Sequence, residues 1–354
     1  VFQIESRAQM SLLPRLKPSH FYDLVVQVAI IRPGPIQGGM VHPFVRRRHG
    51  KEKVQYPHPD LENILGKTLG VPIFQEQIMQ IASTLGGFTP GEADELRRLM
   101  SSSWKKPEIM KGLRRRLLNG MLHHGINLKE GERIYKTIEG FASYGFPESH
   151  AASFALLTYA SCYLKCHYPE FFVCSLLNSQ PMGFYSPRSL IGDAQRKRVH
   201  FLPLSINKSQ YDYQIEESSD HPQLCVRLGF RAIYGLKKKH MEDLLKEREL
   251  NGPFLHLEDL IRRTDLARQV LLLLASAGSF SDWQLSPRSA LWTIQSLSFD
   301  SKSFLFGRPK ESFHLNSTLG SDVSSLPGVE IIPSESEWDQ LQRNYRATGF
   351  ALHS

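Results

Sequence analysis

Apolar residues recur with a helical period in several stretches of the chain. Between Phe74 and Leu85 they stand three or four positions apart, the spacing that places side chains on one face of an α-helix. Two glycines follow at once and predict the end of this helix. The run 21–31 is apolar almost throughout and stops at a cluster of prolines and glycine, so it predicts a helix or a strand that ends there.

The clearest helix start lies at Thr89. This threonine can cap the helix, Pro90 suits the first helical position, and Glu92 stands three residues after the cap. The combination is a capping box, and it predicts a helix that runs to about Met100.

The stretch 149–165 is also predicted to be helical. Apolar residues occur almost all round it, which predicts a helix buried on most sides. Cys162 and Cys166 fall in this pattern without a C-x-x-C pair, so we interpret them as small buried side chains rather than metal ligands. No apolar run approaches the roughly 20 residues that a membrane helix needs.

The pattern changes near Pro203, where we place a domain boundary. Short β-like runs occur at 199–206 and 224–228, and the stretch 228–237 predicts a glycine hairpin that leads into a helix. The stretch 266–277, followed by Gly-Ser-Phe, fits a second hairpin of the same kind. The fold class predicted is mainly α with minor β.

Basic residues are unevenly distributed. The chain has 43 Lys and Arg against 35 Asp and Glu, and its 41% hydrophobic and 22% charged residues are typical of a folded protein. The window from Arg97 to Arg116 holds eight basic residues and one acid, a net +7 (8 − 1). Such a window predicts a surface that faces phosphate, and a solvated helix face is the alternative.

Motifs for catalysis are missing from the sequence. Gly66-Lys67-Thr68 resembles the end of a phosphate-binding loop, but Leu61 stands where that motif needs glycine. No two aspartates form the D-x-D arrangement that would help to hold a metal pair. We therefore assign no catalytic residue and no metal ligand to this chain.

Five sequence blocks, taken together, resemble bacterial DNA polymerase III alpha subunits of the C family. They are VFQIESRAQM (1–10), RPGPIQGGMVHPF (32–44), FQEQIMQIA (74–82), FTPGEADELRRLM (88–100) and YGFPESHAASFALL (144–157). Pro147-Glu148 and the block NSQPMGFY (178–185) resemble the damage-inducible, error-prone branch of that family. The alternatives are a segment of the replicative alpha subunit and a non-catalytic DNA-binding truncation product.

The resemblance implies a division into four parts. Residues 1–60 would be the end of the palm and the start of the fingers, 61–203 the polymerase fingers, and 204–297 a tandem helix-hairpin-helix region. Residues 298–354 would be a linker towards an OB-fold domain. The palm with its three metal-binding aspartates would precede this chain, which is then expected to be inactive alone.

The resemblance also implies a function and partners. The intact protein would be a DNA-directed DNA polymerase that carries out translesion synthesis in the bacterial cytoplasm. Its expected partners are template-primer DNA, dNTPs, Mg²⁺ bound by the palm, the sliding clamp and a companion mutagenesis protein related to Y-family polymerases, with no membrane partner.

Candidate site residues follow from the basic window, the hairpin and the resemblance. The nucleotide-binding candidates are Arg97, Arg98, Lys105, Lys106, Ser149 and His150. The DNA-binding candidates are Arg114, Arg115, Arg116, Gly235, Lys237, Lys238 and Lys239. Lysine stands at 237 where the hairpin motif usually has a second glycine, so charge is expected to replace part of the backbone site. The clamp-binding candidates are Lys302, Leu305 and Phe306.

Overall fold

Helices make up most of the described chain, as predicted. The computed structural model describes residues 1–31, 39, 41–102, 107–142, 146–183, 185–296 and 336–352. These residues contain sixteen α-helices and one three-stranded sheet. They divide into two compact units, Val1–Tyr163 and Leu164–Ser354.

The first unit is helical. Its helices are α1 (Arg7–Leu16), α2 (Phe21–Ile30), α3 (Val41–Arg48), α4 (Asp60–Leu65), α5 (Gln75–Gly86), α6 (Pro90–Ser102), α7 (Pro107–His123), α8 (Leu128–Ala142) and most of α9 (Glu148–His167). Helix α5 lies in the core, with Ile81, Ala82 and Leu85 fully buried. It ends at Gly87 in a left-handed conformation (φ 65°), as the glycine pair predicted.

The capping box at Thr89 is confirmed. The Glu92 carboxylate accepts a hydrogen bond from the Thr89 backbone N–H at 2.9 Å, and the Thr89 hydroxyl accepts one from the Glu92 N–H at 3.4 Å. Two backbone donors at the start of α6 are thereby satisfied. This fixes the direction in which the helix leaves the preceding loop.

Arg48 joins the end of α1 to the start of α2. Its guanidinium donates to the carbonyl oxygens of Leu16 (2.7 Å) and Lys17 (3.1 Å) and to Asp23 Oδ2 (2.7 Å). Asp23 also accepts from the backbone N–H of Ser19 at 2.8 Å. Arg48, the last residue of α3, is therefore paired within the fold and stabilises the packing of α1 against α2.

Asp23→Asn is expected to lower the free energy of unfolding by on the order of 2 kcal/mol at neutral pH. Burial alone would raise the pKa of Asp23, but the hydrogen bonds from Arg48 and from two backbone N–H groups lower it from 3.8 to about 2. A lowered folded-state pKa means that this stability is present above about pH 4 and is lost as the pH falls towards 2. Denaturant unfolding of both proteins at pH 6 and at pH 2.5 measures this pH-dependent difference in stability. Equal destabilisation by the substitution at both pH values would contradict the prediction.

Helix α9 is less buried than its apolar sequence predicted. Only one stripe, formed by Ala151, Ala155 and Thr158, is buried among its described residues. Leu156 is 60% exposed. The prediction of a helix buried on most sides is therefore wrong, because periodicity shows which residues are apolar but not which faces a neighbour covers.

The predicted burial of the two helical cysteines is likewise wrong. Cys166 is exposed and Cys162 is half-buried, since both lie away from the buried stripe of α9. Cys174 and Cys225 are buried. Burial raises the pKa of the Cys174 thiol to about 11, so that this thiol stays protonated.

The second unit combines helices with a small sheet. Its elements are α10 (Pro169–Asn178), α11 (Pro187–Arg196), β1 (His200–Leu202), β2 (Gln214–Ser218), β3 (His221–Arg227), α12 (Lys238–Asn251), α13 (Leu257–Arg263), α14 (Arg268–Ser276), α15 (Pro287–Ser296) and α16 (Glu337–Thr348). The strand order is β1-β3-β2, with β1 parallel and β2 antiparallel to β3. Cys225 pairs with His200 on one side and with Glu216 on the other.

Helix α16 was not predicted. The whole stretch 298–354 was expected to be a linker, yet residues 336–352 pack into the second unit and Phe350 is buried in its core. The Ser336 hydroxyl caps the helix by accepting from the Asp339 N–H at 3.1 Å. The remainder of the expected linker, 298–335 and 353–354, lies outside the described residues.

The compact units and the predicted domains divide the chain differently. Packing separates the units after Tyr163, whereas the sequence placed the end of the fingers near Pro203. The three predicted boundaries between the four parts stay predictions. Within the described ranges, no helix is long and apolar enough to cross a membrane.

Candidate nucleic-acid interface

Arg97 and Arg98 share one acidic partner on α6. Arg97 Nε donates to Asp94 Oδ1 and Arg98 Nε donates to Asp94 Oδ2, both at 2.9 Å. Hydrogen bonds from Arg97 and then Arg98 hold the pKa of Asp94 below its usual value, so its carboxylate stays charged. The three side chains together carry a net charge of +1. The side chain of Arg98 is 73% exposed and is oriented by Asp94, an arrangement suited to binding a phosphate.

Two of the three consecutive arginines of α7 are paired with acids from outside the basic window. Arg116 contacts Glu92 at 2.6 Å, and Arg114 pairs with Glu132 and lies 5.5 Å from the Tyr135 ring. The hydrogen bond from Arg116, followed by those from Thr89, lowers the pKa of Glu92 to about 2. The net +7 of the window therefore overstates the local charge. Arg115 is exposed, with no ion pair to any described residue.

His150 and Ser149 lie at the start of α9. The His150 ring stands between those of Phe146 (5.0 Å) and Phe154 (4.6 Å), while its residue remains exposed. Ser149 is exposed, and its carbonyl accepts from the Ser153 hydroxyl at 3.0 Å. The two ring contacts restrict the orientation of the imidazole.

The start of α9 is also tied to the rest of the unit. The Glu148 N–H donates to Glu76 at 3.0 Å, and the Tyr22 hydroxyl donates to Glu148 at 2.6 Å. Burial, together with this hydrogen bond, raises the pKa of Tyr22. Sequence reasoning missed Tyr22 and Glu148 as positioning residues, because no local pattern joins positions 126 apart.

The structure does not gather the nucleotide-binding candidates into one contact network. Among the described residues, no hydrogen bond or ion pair joins His150 to Arg97. Lys105 and Lys106 lie outside the described residues, as do the clamp-binding candidates Lys302, Leu305 and Phe306. The roles of all these residues stay predictions.

The first hairpin of the second unit turns at Gly235. Its φ of 80° is in the left-handed region that glycine adopts without strain. A short 3₁₀ turn, Phe230–Ala232, precedes it, and α12 follows from Lys238. Leu236, Met241 and Leu244 are buried and attach the hairpin to the core.

Three exposed lysines surround the start of α12. Lys237 is the N-cap residue, and no side chain of the described chain caps this helix. The first N–H groups of a helix lack partners within it, so the start of α12 presents backbone donors beside Lys237, Lys238 and Lys239. Lys238 lies 3.8 Å from Glu242, a surface pair that competes weakly with a phosphate.

Helix α16 covers one side of this hairpin. The Tyr234 N–H donates to the Ala347 carbonyl at 2.9 Å and is used within the protein. Sequence reasoning missed this contact because residues 298–354 were taken as a linker. Helix α16 could have been predicted from the sequence, because the possible cap Ser336 is followed by Trp338, Leu341 and Tyr345 at helical spacing.

A second hairpin follows α14. Gly278 has a φ of 73°, and the chain continues through the 3₁₀ turn Ser281–Trp283 into α15. Leu271, Leu274 and Phe280 are fully buried around it. Two glycine turns between helices within one unit agree with the tandem arrangement predicted from the sequence.

Two protein-family models match this chain, one within each unit. A model described as the bacterial DNA polymerase III alpha subunit finger domain matches residues 1–125. A model described as a helix-hairpin-helix motif matches residues 198–290. A finger domain and a helix-hairpin-helix region in one chain define the class of DNA-binding polymerase subunits.

The relatives that the chain matches are named error-prone DNA polymerases. The chain is 54% identical, over 100% of its length, to an error-prone DNA polymerase of Bdellovibrio bacteriovorus and covers 33% of that protein. It is 47% identical, over 99% of its length, to an error-prone DNA polymerase of Rhodopirellula baltica, of which it covers 30%. Error-prone DNA polymerase 2 of Agrobacterium fabrum is 51% identical over 84% of the chain, which covers 27% of that relative.

The chain therefore contains a region that matches the finger domain of bacterial DNA polymerase III alpha subunits, and it is similar throughout its length to proteins named error-prone DNA polymerase. It spans about a third of the length of the curated relatives it matches.

Proposed function

We propose that this chain supplies the fingers and the DNA-holding hairpins of an error-prone DNA polymerase that copies damaged template. The observation that supports the proposal most is the joint occurrence of a finger domain and two glycine hairpins in this chain, which is similar over its whole length to a protein named error-prone DNA polymerase. In this proposal the first unit binds the incoming dNTP, and the second unit holds template-primer DNA.

The nucleotide would be bound through its phosphates. Phosphoryl transfer requires the triphosphate charge to be neutralised and held in line with the attacking hydroxyl. Arg97 and Arg98, both oriented by Asp94, would provide planar donors for this purpose. His150, fixed between two phenylalanine rings, would contact the base or a phosphate.

The DNA would be held by its backbone. The start of α12 and Lys237, Lys238 and Lys239 would contact phosphates without reading the sequence. Exposed Arg115 on α7 would add a phosphate contact from the first unit. Binding of this kind suits a polymerase, which must move along any template.

The remaining partners come from the family alone. Mg²⁺ would be held by carboxylates of the palm, and the described residues contain no cluster of three or more potential metal ligands. Lys302, Leu305 and Phe306 would form a weak sliding-clamp site. We also propose the bacterial cytoplasm as the location and a Y-family-like mutagenesis protein as a partner.

Arg98→Ala in the full-length polymerase is expected to raise the KM for dNTP about tenfold, since hydrogen bonds to charged groups contribute about 1.5–3 kcal/mol. The low end applies because Asp94 already neutralises part of the charge. Steady-state primer extension measures the effect, with Lys136→Ala on α8 as a control. Unchanged nucleotide use together with weaker DNA binding would identify Arg98 as a template contact.

A further inference from the structure

An open cleft lies between α11 and α16 in the second unit. Its volume is about 800 Å³, within the range of small-molecule sites. Six of the residues lining it carry the argument: Arg188, Gln195, Arg196, Trp338, Gln342 and Tyr345. Among the described residues, neither a carboxylate nor any of the hairpin lysines lines the cleft.

Two aromatic side chains of the cleft remain in solvent. Trp338 is 66% exposed and Tyr345 is 48% exposed. Such large flat surfaces are seldom left uncovered on one side of a cleft without a ligand or partner. No aromatic ring of the described chain stacks on Trp338, so one face of the indole remains accessible.

Two cationic side chains, Arg188 and Arg196, also line the cleft. The Arg188 guanidinium lies 5.1 Å from the centre of the Tyr345 ring, and its Nη1 donates to the Tyr345 hydroxyl at 3.3 Å. Arg196 is mostly exposed and lies 3.4 Å from Asp193 in a weak ion pair. A cleft lined by two guanidinium groups and two exposed rings, without a lining carboxylate, is complementary to a polyanion that carries flat groups.

We propose that this cleft binds a single-stranded DNA segment. One base would stack on Trp338, Arg188 and Arg196 would contact adjacent phosphates, and the amides of Gln195 and Gln342 would bond to base or sugar edges. Bases in a duplex are already stacked on both faces, so this mode selects unpaired nucleotides. The inference is independent of the duplex contacts proposed at the hairpins.

Trp338→Ala is expected to weaken binding of a labelled oligothymidylate to the 354-residue chain about five- to a hundredfold. Fluorescence anisotropy at fixed low salt measures it. Trp338→Phe keeps an aromatic face and should retain part of the affinity. Trp292→Ala, which removes another exposed tryptophan from the same unit, is the control and should bind normally.

Arg196→Gln provides a second measurement that does not depend on the stability of the aromatic variant. This substitution should weaken binding and reduce the slope of log K against log salt by about one. If Trp338→Ala and Arg196→Gln both bind oligothymidylate as Trp292→Ala does, the cleft is not a DNA site and a peptide or another domain covers it. If alanine at the hairpin lysines abolishes oligothymidylate binding while Trp338→Ala preserves it, the hairpin binds both forms and the proposal is wrong.

Discussion

Replacing Lys237, Lys238 and Lys239 together by alanine is expected to weaken binding of primed duplex DNA about a hundredfold at low salt. The three side chains are exposed around a helix start that no side chain caps, where backbone donors and charge would act on the same phosphate. Removing one lysine–phosphate interaction should reduce the slope of log K against log salt by about 0.9, so the slope of the triple variant should fall by roughly 2–3 units. Anisotropy titrations at several salt concentrations, made with the chain itself, measure both quantities.

A matched control separates this local effect from the loss of net charge. Lys129, Lys208 and Lys246 are also exposed lysines, and they lie away from the hairpin turn in the sequence. Their combined replacement by alanine removes the same charge and should change affinity only slightly. Equal affinities and equal salt slopes for the two triple variants would show that the hairpin does not face the DNA. Binding of oligothymidylate should remain in the hairpin variant, since the proposed cleft uses other residues.

Local sequence signals predicted the elements that depend on neighbouring residues. The period from Phe74 to Leu85 and the capping box at Thr89 were confirmed, because a helix and its cap are formed within a few residues of sequence. Gly235 and Gly278 were likewise confirmed as turns, since glycine adopts a positive φ without strain.

Features that depend on distant residues could not be predicted in this way. The charge of the basic window is reduced by Glu132 on another helix, and no local count includes that pairing. Exposure of Leu156 depends on which neighbours pack against α9. Strand β2 (Gln214–Ser218) is polar and half exposed, so it is formed by pairing with β3 rather than by an apolar pattern of its own.

Gly120→Ala is expected to lower the free energy of unfolding by about 3 kcal/mol. Helices α5 and α7 approach most closely where Gly86 and Gly120 face each other. A methyl group on Gly120 would lie 2.0 Å from the Gly86 carbonyl oxygen, a contact with backbone that no side-chain rotation relieves. The helices would have to separate, and the packing in the core of the first unit would loosen.

Gly112→Ala on the same helix is the control, and its expected effect has the opposite sign. Nothing lies within 4 Å of the position that its new methyl group would occupy. Alanine in a helix interior is favoured over glycine by about 0.5–1 kcal/mol, so this variant should gain stability. Denaturant unfolding followed by circular dichroism compares the stability of the two variants.

Because α7 also carries Arg114, Arg115 and Arg116, the destabilisation in Gly120→Ala should weaken DNA binding by the first unit, whereas Gly112→Ala should leave it intact. If both substitutions stabilised the chain, α5 and α7 would not pack at Gly120, and the position assigned to the arginines of α7 would be wrong.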